Sequence, residues 1–284
     1  MLARTVHALN TGFFSVPAKL MVAGESGSLR MPYLFFAIEL EDGGFVVVDG
    51  GVGHERSSFA TALLAWISRG HMPAEWSFAR RLEEIGAQPA RVRAALVTHL
   101  DHDHTVGLPA LAERPVYVHR PEWRAAHAKG LFDRVTDRQP LRHLEVLRDV
   151  REFDCGRTAG LDLVEGAFDL PEAEGAVTAV SLPGHTTGHV GALVRLEGGG
   201  RVLLAGDACY DAAHVVKRRG FGLFPRRVAV DLAAAERSLD ALRRWHDAEP
   251  DLRIVPSHDP ATGRLCEAGP ARLGAPAARP AAMS

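Results

Sequence analysis

The segment Thr98–Gly107 reads THLDHDHTVG, and the six residues 99–104 within it include three histidines and two aspartates. The apolar run Ala94–Thr98 (AALVT) comes directly before His99 and predicts a short buried strand. Imidazole and carboxylate groups are ligands that zinc, manganese and iron accept in proteins. Because a loop at a strand end can direct several side chains to one point, this segment predicts a metal site rather than a polar surface loop.

Three further segments place a ligand-type side chain after an apolar strand. They are LPGHTTGHV at 182–190 with His185, LLAGDACY at 203–210 with Asp207, and IVPSHDP at 254–260 with His258. Any one of them alone would indicate a helix cap or a solvated turn, since aspartate is common at both. Four such strand ends in one chain are hard to attribute to chance.

The composition excludes several classes of protein. The chain has 284 residues and a formal net charge of −2, which does not fit a general nucleic-acid binder. Its three cysteines are few and widely spaced, so they predict neither a disulfide framework nor a thiolate zinc site. The N-terminal residues MLARTVHALNTGFF lack the pattern of a secretory signal, and no apolar stretch is long enough to span a bilayer. We therefore expect a cytoplasmic protein that binds neither nucleic acid nor membrane.

Strand-like segments occur in both halves of the chain, with helices between them. Tyr33–Leu40 and Phe45–Asp49 flank the turn sequence EDGG and predict a hairpin, and Leu161–Val164 predicts a later strand. Ser77–Ile85, with Ser77 as a possible cap, and Asp231–His246, with Asp231 as its N-cap, predict helices. This order fits an α/β protein in which two sheets pack face to face and are covered by helices.

No linker divides the chain, so residues 1–266 are expected to form a single domain. After Cys266 the sequence is rich in alanine, proline and glycine and has few apolar anchors. We therefore expect residues 267–284 to form a disordered tail.

These segments together resemble a known family. THLDHDHTVG is similar to the His-x-His-x-Asp-His signature of the metallo-β-lactamase superfamily, and His185, Asp207 and His258 follow in the order of that superfamily's remaining ligands. Asp49, which closes the strand FVVVD, looks like the superfamily's structural aspartate beneath the metals. The resemblance runs from about Tyr33 to Pro260 and implies an αββα sandwich with two divalent metal ions at one edge. Zinc is the first expectation for these ions, with manganese or iron as alternatives.

The resemblance also implies a set of ligands, from which this chain departs once. One ion would be held by His99, residue 101 and His185, and the other by Asp103, His104 and His258, with Asp207 bridging the two. The second histidine of the signature is replaced by Asp101. Aspartate is a competent ligand, but it is shorter and adds a negative charge, so the first position could be weakened, shifted to a harder metal or left empty. His102 could supply the missing ligand instead, although we favour Asp101 because 102 is the spacer position of the signature.

A narrower resemblance concerns the reaction. The residues DACY at 207–210 look like the Asp-Ala-Ser-Tyr of the N-acyl-homoserine lactonases, whose tyrosine reaches the substrate carbonyl. This likeness implies that metal-bound hydroxide opens a lactone or related ester, with Asp103 carrying the proton and Tyr210 facing the oxyanion. The acyl part of this small-molecule substrate would lie against apolar residues of the segment Gly51–Trp76 and of the segment after Tyr210. The simpler role for Tyr210 is packing beside the site.

Other functions are compatible with the same residues. A thioester or phosphoester hydrolase would use the same pair of metals, and a mononuclear iron oxygenase could exploit Asp101. A sensor that binds a metal or ligand without catalysis is the non-enzymatic alternative. The intact set of six further ligands argues against the sensor, whereas the substrate and oligomeric state cannot be inferred from the sequence.

Overall fold

The computed structural model describes residues 1–53, 70–128, 141–157, 161 and 163–274. Within them the chain forms two β-sheets and helices that cover the outer faces of both sheets. The strands are β1 (Ala3–Pro17), β2 (Ser28–Leu40), β3 (Phe45–Val48), β4 (Val92–Val97), β5 (Val116–His119), β6 (Val150–Phe153), β7 (Ala167–Asp169), β8 (Val177–Ser181), β9 (Val190–Arg195), β10 (Arg201–Gly206), β11 (Arg253–Pro256) and β12 (Ala271–Leu273).

The two sheets have different strand orders. The larger sheet has seven strands in the order β12-β1-β2-β3-β4-β5-β6, and the smaller has five in the order β11-β10-β9-β8-β7. The α-helices of the described residues are Ala18–Met21, Phe78–Glu84, His102–Thr105, Arg120–His127, Ala213–Val216, Leu223–Val228, Leu232–Ala248 and Pro260–Leu265. Among the described residues, no helix has the length and apolar character needed to cross a membrane.

The sheets pack on each other through one shared core. Phe36 and Leu96 from the larger sheet and Val194 and Leu204 from the smaller are fully buried in this core. Successive side chains of a strand point to opposite faces, so the alternate residues remain for the helix-covered faces. Leu203 accordingly packs in a separate cluster with apolar residues of the helix Leu232–Ala248. The predicted αββα sandwich is therefore confirmed.

Strand direction brings the polar segments to one edge of the sandwich. β3 and β4 are parallel, and so are β10 and β11. β8 runs in the same direction as β10, since both are antiparallel to β9. Two backbone bonds join the sheets at this edge, from Val190 N to Thr98 O (2.9 Å) and from Leu34 N to Ser257 O (3.1 Å). The residues that follow these five strands therefore meet in one place.

Several element predictions are confirmed by the structure. The hairpin of β2 and β3 forms as expected, with four residues, 41–44, between the strands. The long helix begins at Leu232, and the Asp231 side chain caps it by accepting a hydrogen bond from Ala234 N at 2.9 Å. The helix predicted at Ser77–Ile85 spans Phe78–Glu84, but the Ser77 side chain makes no capping hydrogen bond.

Other predictions were wrong or incomplete. Leu161 and residues 163–164 form no strand, and the edge strand of the smaller sheet is instead β7 at Ala167–Asp169. Residues 271–273 were expected in the disordered tail, but they form β12, which pairs with Val6–Ala8 of β1. The remaining tail residues, 275–284, lie outside the described residues. β1 itself was not predicted, although its 15 residues form the longest strand that the structure describes.

Candidate metal centre

The structure brings the predicted metal ligands together at the sandwich edge. Ligand atoms of His99, His185 and Asp207 all lie within 4.8 Å of one another, and so do those of Asp103, His104 and His258. We call the position around His99, Asp101 and His185 the first site, and the position around Asp103, His104 and His258 the second site. Asp207 lies between them, with Oδ2 3.6 Å from His185 Nε2 and Oδ1 3.5 Å from His258 Nε2.

All four imidazoles turn their Nε2 atoms toward the centre, and each ring is held in place by a partner at its Nδ1 atom. His104 Nδ1 bonds Asp49 Oδ2 (2.8 Å), His258 Nδ1 bonds Pro32 O (2.8 Å), His99 Nδ1 lies 3.1 Å from Thr98 Oγ1, and His185 Nδ1 lies 2.8 Å from the Tyr210 hydroxyl. A partner at Nδ1 fixes the ring and directs the lone pair of Nε2 toward the centre. Of these four partners, the sequence indicated Asp49 as a support beneath the metals, whereas the contacts of Pro32, Thr98 and Tyr210 with the imidazoles were not predicted.

Asp49 holds His104, a residue of the second site, in position. It is fully buried, and its carboxylate accepts hydrogen bonds from Thr98 N (2.8 Å), from Thr98 Oγ1 (3.0 and 2.9 Å) and from His104 Nδ1. Its backbone is in the left-handed region at φ 64°, a conformation that aspartate and asparagine tolerate better than most residues. Asp49 therefore joins β3 to β4 and holds His104, as expected of a structural aspartate beneath the metals.

The arrangement fits two metal ions. His99 Nε2, His104 Nε2 and Asp207 Oδ1 are buried, and none has a hydrogen-bond partner among the described residues. Buried polar atoms without partners are rare and unfavourable in folded proteins. They lie among nitrogen and carboxylate oxygen atoms that face one another, which is the donor set that zinc, manganese and iron accept. A cation in each site would satisfy these atoms.

Asp101 lies at the first site, at the position where the signature has its second histidine. Its Oδ2 is 3.2 Å from His185 Nε2 and 3.7 Å from His99 Nε2, and the side chain is buried. His102 is half-buried and meets the ring of His143 edge-on, with 6.0 Å between the ring centroids. Asp101 and His102 have different surroundings because His102–Thr105 is a helical turn and not an alternating loop. Asp101 precedes this turn, and His102 is its first residue.

We expect Asp101→Ala to lower metal occupancy at the first site, and His102→Ala to leave it nearly unchanged. The expected loss is about tenfold to a hundredfold in affinity, comparable to removal of a residue that supports a ligand, or larger. Metal analysis after dialysis against buffers of graded free metal would measure it. A reversed result, with His102 as the costly position, would show that the turn rearranges when metal binds.

Burial and neighbouring charge give the histidines different proton affinities. Complete burial, followed by the nearby His104, holds the pKa of His99 well below its ordinary value. Burial would also lower the pKa of His104, but the carboxylates of Asp49 and Asp207 raise it well above that value. Because a metal ion binds only an unprotonated imidazole nitrogen, we expect protonation of His104 to compete with metal binding at the second site.

His189 supports the bridging ligand rather than binding metal. Its Nδ1 donates to Leu182 O at 3.0 Å, and its Nε2 accepts from Asp207 N at 2.9 Å. Burial, with a contribution from His185, lowers the pKa of His189 to about 3, so the ring is neutral and can accept that bond. His189 therefore links the loop 182–190 to the backbone of Asp207.

Glycine allows the loop that carries His185 to reach the site. Gly184 has a φ of 130°, and a Cβ atom there would collide with the backbone nitrogen of Ala235 in the long helix. The loop is fixed to that helix by hydrogen bonds from Val230 N to His185 O (3.1 Å) and from Asp231 N to Gly184 O (3.0 Å). A residue with a side chain at 184 would push the loop, and with it His185, away from the centre.

Tyr210 lies beside His185 in the structure. The side chain is buried, its hydroxyl is 2.8 Å from His185 Nδ1, and its ring stacks on that of His258 with an interplanar angle of 9°. When His185 Nε2 binds a metal, Nδ1 carries the proton and donates it to the Tyr210 oxygen.

Two aromatic residues near the second site were not singled out from the sequence. The rings of Phe14 and Tyr33 meet the ring of His258 edge-on, with centroids 5.5 and 5.7 Å away. Burial, with a contribution from Asp103, raises the pKa of Tyr33, so its hydroxyl stays protonated. Both residues come from the β1–β2 pair, where an aromatic side chain is ordinary, and no sequence signal distinguishes them from core residues.

A cavity of about 260 Å³ lies beside the loops that follow β3 and β4. Its lining is largely apolar, and it includes described residues of the segment Gly51–Trp76 that the sequence suggested for an acyl group. Residues 54–69 of that segment lie outside the described residues. The lining residues used below are Val52, Met72, Trp76, Phe78 and Val106.

Known proteins share this sequence pattern and fold. A family model described as the metallo-beta-lactamase superfamily matches residues 32–258. A probable metallo-hydrolase of Mycobacterium bovis is 30% identical over 243 residues, which are 77% of this chain and 72% of that protein. The N-acyl homoserine lactonase AttM of Rhizobium radiobacter is 25% identical over 248 residues, covering 84% of this chain and 86% of the lactonase.

Solved structures show the same fold. The structure of an N-acyl homoserine lactone hydrolase, with N-hexanoyl-L-homoserine bound at its catalytic metal centre, has a TM-score of 0.70 to this chain at 21% identity. The match covers 94% of this chain and 98% of that chain. The chain therefore belongs to the metallo-beta-lactamase superfamily, as a metallo-hydrolase related at low identity to N-acyl homoserine lactonases.

Proposed function

We propose that this protein hydrolyses a lactone or closely related ester, of the N-acyl homoserine lactone type, with two divalent metal ions. The observation that carries the proposal is the pair of ligand clusters, with Asp207 between them close to His185 and to His258. The relatives named as lactonases support the substrate class. DACY at 207–210 supports the same class, because it places a tyrosine three residues after the shared ligand.

Each metal would be held by side chains of this chain. His99, Asp101 and His185 would hold the first ion, Asp103, His104 and His258 the second, and Asp207 would contact both. Such ions, when bound, lower the pKa of a water and polarise a carbonyl oxygen. Zinc is our first expectation from the imidazole-rich set, whereas the carboxylate of Asp101 makes the first site better suited to manganese or iron than a third histidine would.

Asp103 is placed to carry the proton during hydrolysis. Its side chain is 31% exposed, whereas those of Asp101 and Asp207 are 8% and 6% exposed. Asp103 is therefore the carboxylate of the centre most open to a substrate entering from solvent. A carboxylate there can accept the proton released at attack and return it to the leaving alkoxide of the opened ring.

The cavity suits the acyl portion of the substrate. Val52 lies three residues after Asp49 and Val106 two residues after His104, so the loops that carry these two residues also contribute to the cavity wall. Met72, Trp76 and Phe78 complete a largely apolar wall. An aliphatic chain would be desolvated here, with about 0.8 kcal/mol of stabilisation for each buried methylene. We therefore propose that the protein prefers substrates with an acyl chain over the bare lactone.

A substrate panel tests the function directly. Protein reconstituted with zinc, manganese or iron would be assayed against acyl-homoserine lactones of increasing chain length, a thioester and a phosphodiester, with metal content measured in parallel. We expect about two ions per chain and the highest kcat/KM on an acylated lactone. Preferential cleavage of the thioester or phosphodiester would contradict the substrate proposal, and the absence of stoichiometric metal with all three ions would contradict the hydrolase itself.

We expect Tyr210→Phe to lower kcat on the best lactone by roughly tenfold to a hundredfold. Loss of one donor to a developing oxyanion typically costs ~10²–10³ in turnover, and the metals would supply part of that stabilisation here. The structure adds a second effect, because the variant also removes the partner of His185 Nδ1. Metal analysis separates the two: intact occupancy with reduced kcat indicates the donor role, and lost occupancy indicates that the hydroxyl holds His185. Full activity of the variant would contradict both the donor role and the role of the hydroxyl in holding His185.

A further inference from the structure

A buried carboxylate connects the two loops that form the first site. Glu122, near the start of the helix Arg120–His127, is only 1% exposed. Its Oε1 accepts a hydrogen bond from Leu100 N (3.0 Å), and its Oε2 accepts one from Gly188 N (3.0 Å). Leu100 stands between His99 and Asp101 in the chain, and Gly188 belongs to the loop that carries His185. One side chain therefore contacts the backbone of both loops.

Gly188 is also held through its carbonyl group. His119 Nδ1 donates to Gly188 O at 2.9 Å, while Cys155 N approaches His119 Nε2 at 3.4 Å. Residue 188 is thus bound through both its N–H and its carbonyl. This close approach requires glycine, because a Cβ atom at 188 would collide with the backbone nitrogen of Glu122.

These contacts cross from one sheet to the other. His99 and Asp101 follow β4 of the larger sheet, whereas His185 follows β8 of the smaller sheet. The first site therefore depends on how closely two separately folded loops approach each other. A charged acceptor bonded to two amides is among the strong hydrogen bonds that proteins form, and a buried amide left without its acceptor is unfavourable.

The second site is anchored differently. Asp103 and His104 lie on one helical turn, His104 is held by Asp49, and His258 is held by the carbonyl of Pro32. Neither of the contacts that position His104 and His258 passes through the loop 182–190. A shift of that loop would therefore move His185 and leave those two imidazoles in place.

We propose that Glu122, assisted by His119, is a positioning residue that sets the geometry of the first metal site and not that of the second. The proposal rests on the metal centre described above but not on the lactone substrate. Metal binding therefore tests it independently of any hydrolytic activity.

Glu122→Gln is the sharpest variant, because it keeps the shape of the side chain and one acceptor. Its amide group would face one of the two backbone N–H groups, so one hydrogen bond is lost and the loops separate. We expect the affinity of the first site to fall about tenfold to a hundredfold, the range found when residues supporting a metal ligand are changed. Competition titration with a chelator, using zinc, would show one weakened ion and one unchanged ion.

Two further variants, each lacking one metal ligand, show which of the two ions is bound more weakly. In His258→Ala, where the first site remains complete, adding Glu122→Gln should lower affinity for the remaining zinc ion. In His185→Ala, where the second site remains, the same addition should change affinity by less than about twofold, since the two hydrogen bonds of Glu122 go to Leu100 and Gly188 and not to a residue of the second site. Equal weakening in both backgrounds, or none in either, would overturn the proposal.

Two further variants separate positioning from general stability. Glu172→Gln is the matched control, because Glu172 bonds Tyr117 and Arg151 away from the metal loops, and both zinc ions should bind as in the unchanged protein. His119→Phe removes the second contact to residue 188 and should weaken the first ion in the same direction. If Glu172→Gln weakens zinc as much as Glu122→Gln, the effect is one of stability and the proposal fails.

Discussion

Asp103→Asn is expected to reduce kcat on the best substrate by about 10³, within the range of ~10²–10⁴ attributed to a positioned proton-transfer group. Asparagine has nearly the same shape and retains an oxygen that can contact a metal. It lacks the negative charge, and its amide cannot accept the proton released at attack. Because the Asp103 side chain is more exposed than those of Asp101 and Asp207, we expect neither of those two carboxylates to replace it in proton transfer.

Two measurements distinguish proton transfer from loss of metal. Asp103 Oδ2 lies 3.5 Å from His258 Nε2, so the variant should also weaken the second site. Assays in excess metal restore occupancy, and the defect that remains then reports proton transfer. Asp211→Asn is a suitable control, since it removes the same charge four residues after Asp207 while its oxygen can still accept from Ala213 N. Activity above about a tenth of normal with full occupancy would contradict the role of Asp103.

The candidate ligands could be proposed from the sequence because the signal is local. Each follows an apolar strand within a few residues, and a strand end followed by histidine or aspartate can be recognised within about ten residues. The parallel direction of strands within a sheet then brings the ends together, as β10 and β11 bring Asp207 and His258. The hairpin and the long helix were predictable for the same reason, since their patterns are contained in one segment.

The supporting contacts could not be predicted in this way. Glu122 is 22 residues from Leu100 and 66 from Gly188 in the chain, so no periodic pattern records their hydrogen bonds. β1 was missed because Asn10 and Gly12 interrupt its apolar pattern, at a register shift in its pairing with β2. β12 was missed because its three residues form a strand only when β1 is present as a partner.

Asp49→Asn should remove metal from the second site while leaving the fold almost intact. The Thr98 N–H can still bond the amide oxygen, and asparagine is as well suited as aspartate to the φ of 64° at this position. The amide nitrogen, however, would face His104 Nδ1, which now donates to the carboxylate. Two donors cannot share that contact, so His104 is expected to change tautomer and accept at Nδ1.

The change of tautomer prevents His104 from binding a metal ion. With its proton on Nε2, His104 directs an N–H group into the second site in place of a lone pair, and a protonated nitrogen cannot bind a metal ion. We expect the metal affinity of the second site to fall by about tenfold to a hundredfold or more, and the rate of hydrolysis to fall with it. The free energy of unfolding of the metal-free variant should lie within about 1 kcal/mol of that of the unchanged chain, since the buried hydrogen bonds from Thr98 persist.

Asp49→Ala provides the contrast for this experiment. It removes every acceptor from Thr98 N and His104 Nδ1, both buried, and places alanine at a positive φ. Each buried donor without a partner costs about 1–3 kcal/mol, so this variant should lower the stability of the metal-free protein as well as its metal binding. Chemical unfolding in the presence of a chelator measures the first effect, and metal titration the second. If Asp49→Asn instead binds both ions normally, the carboxylate holds the two strands together but does not set the tautomer of His104.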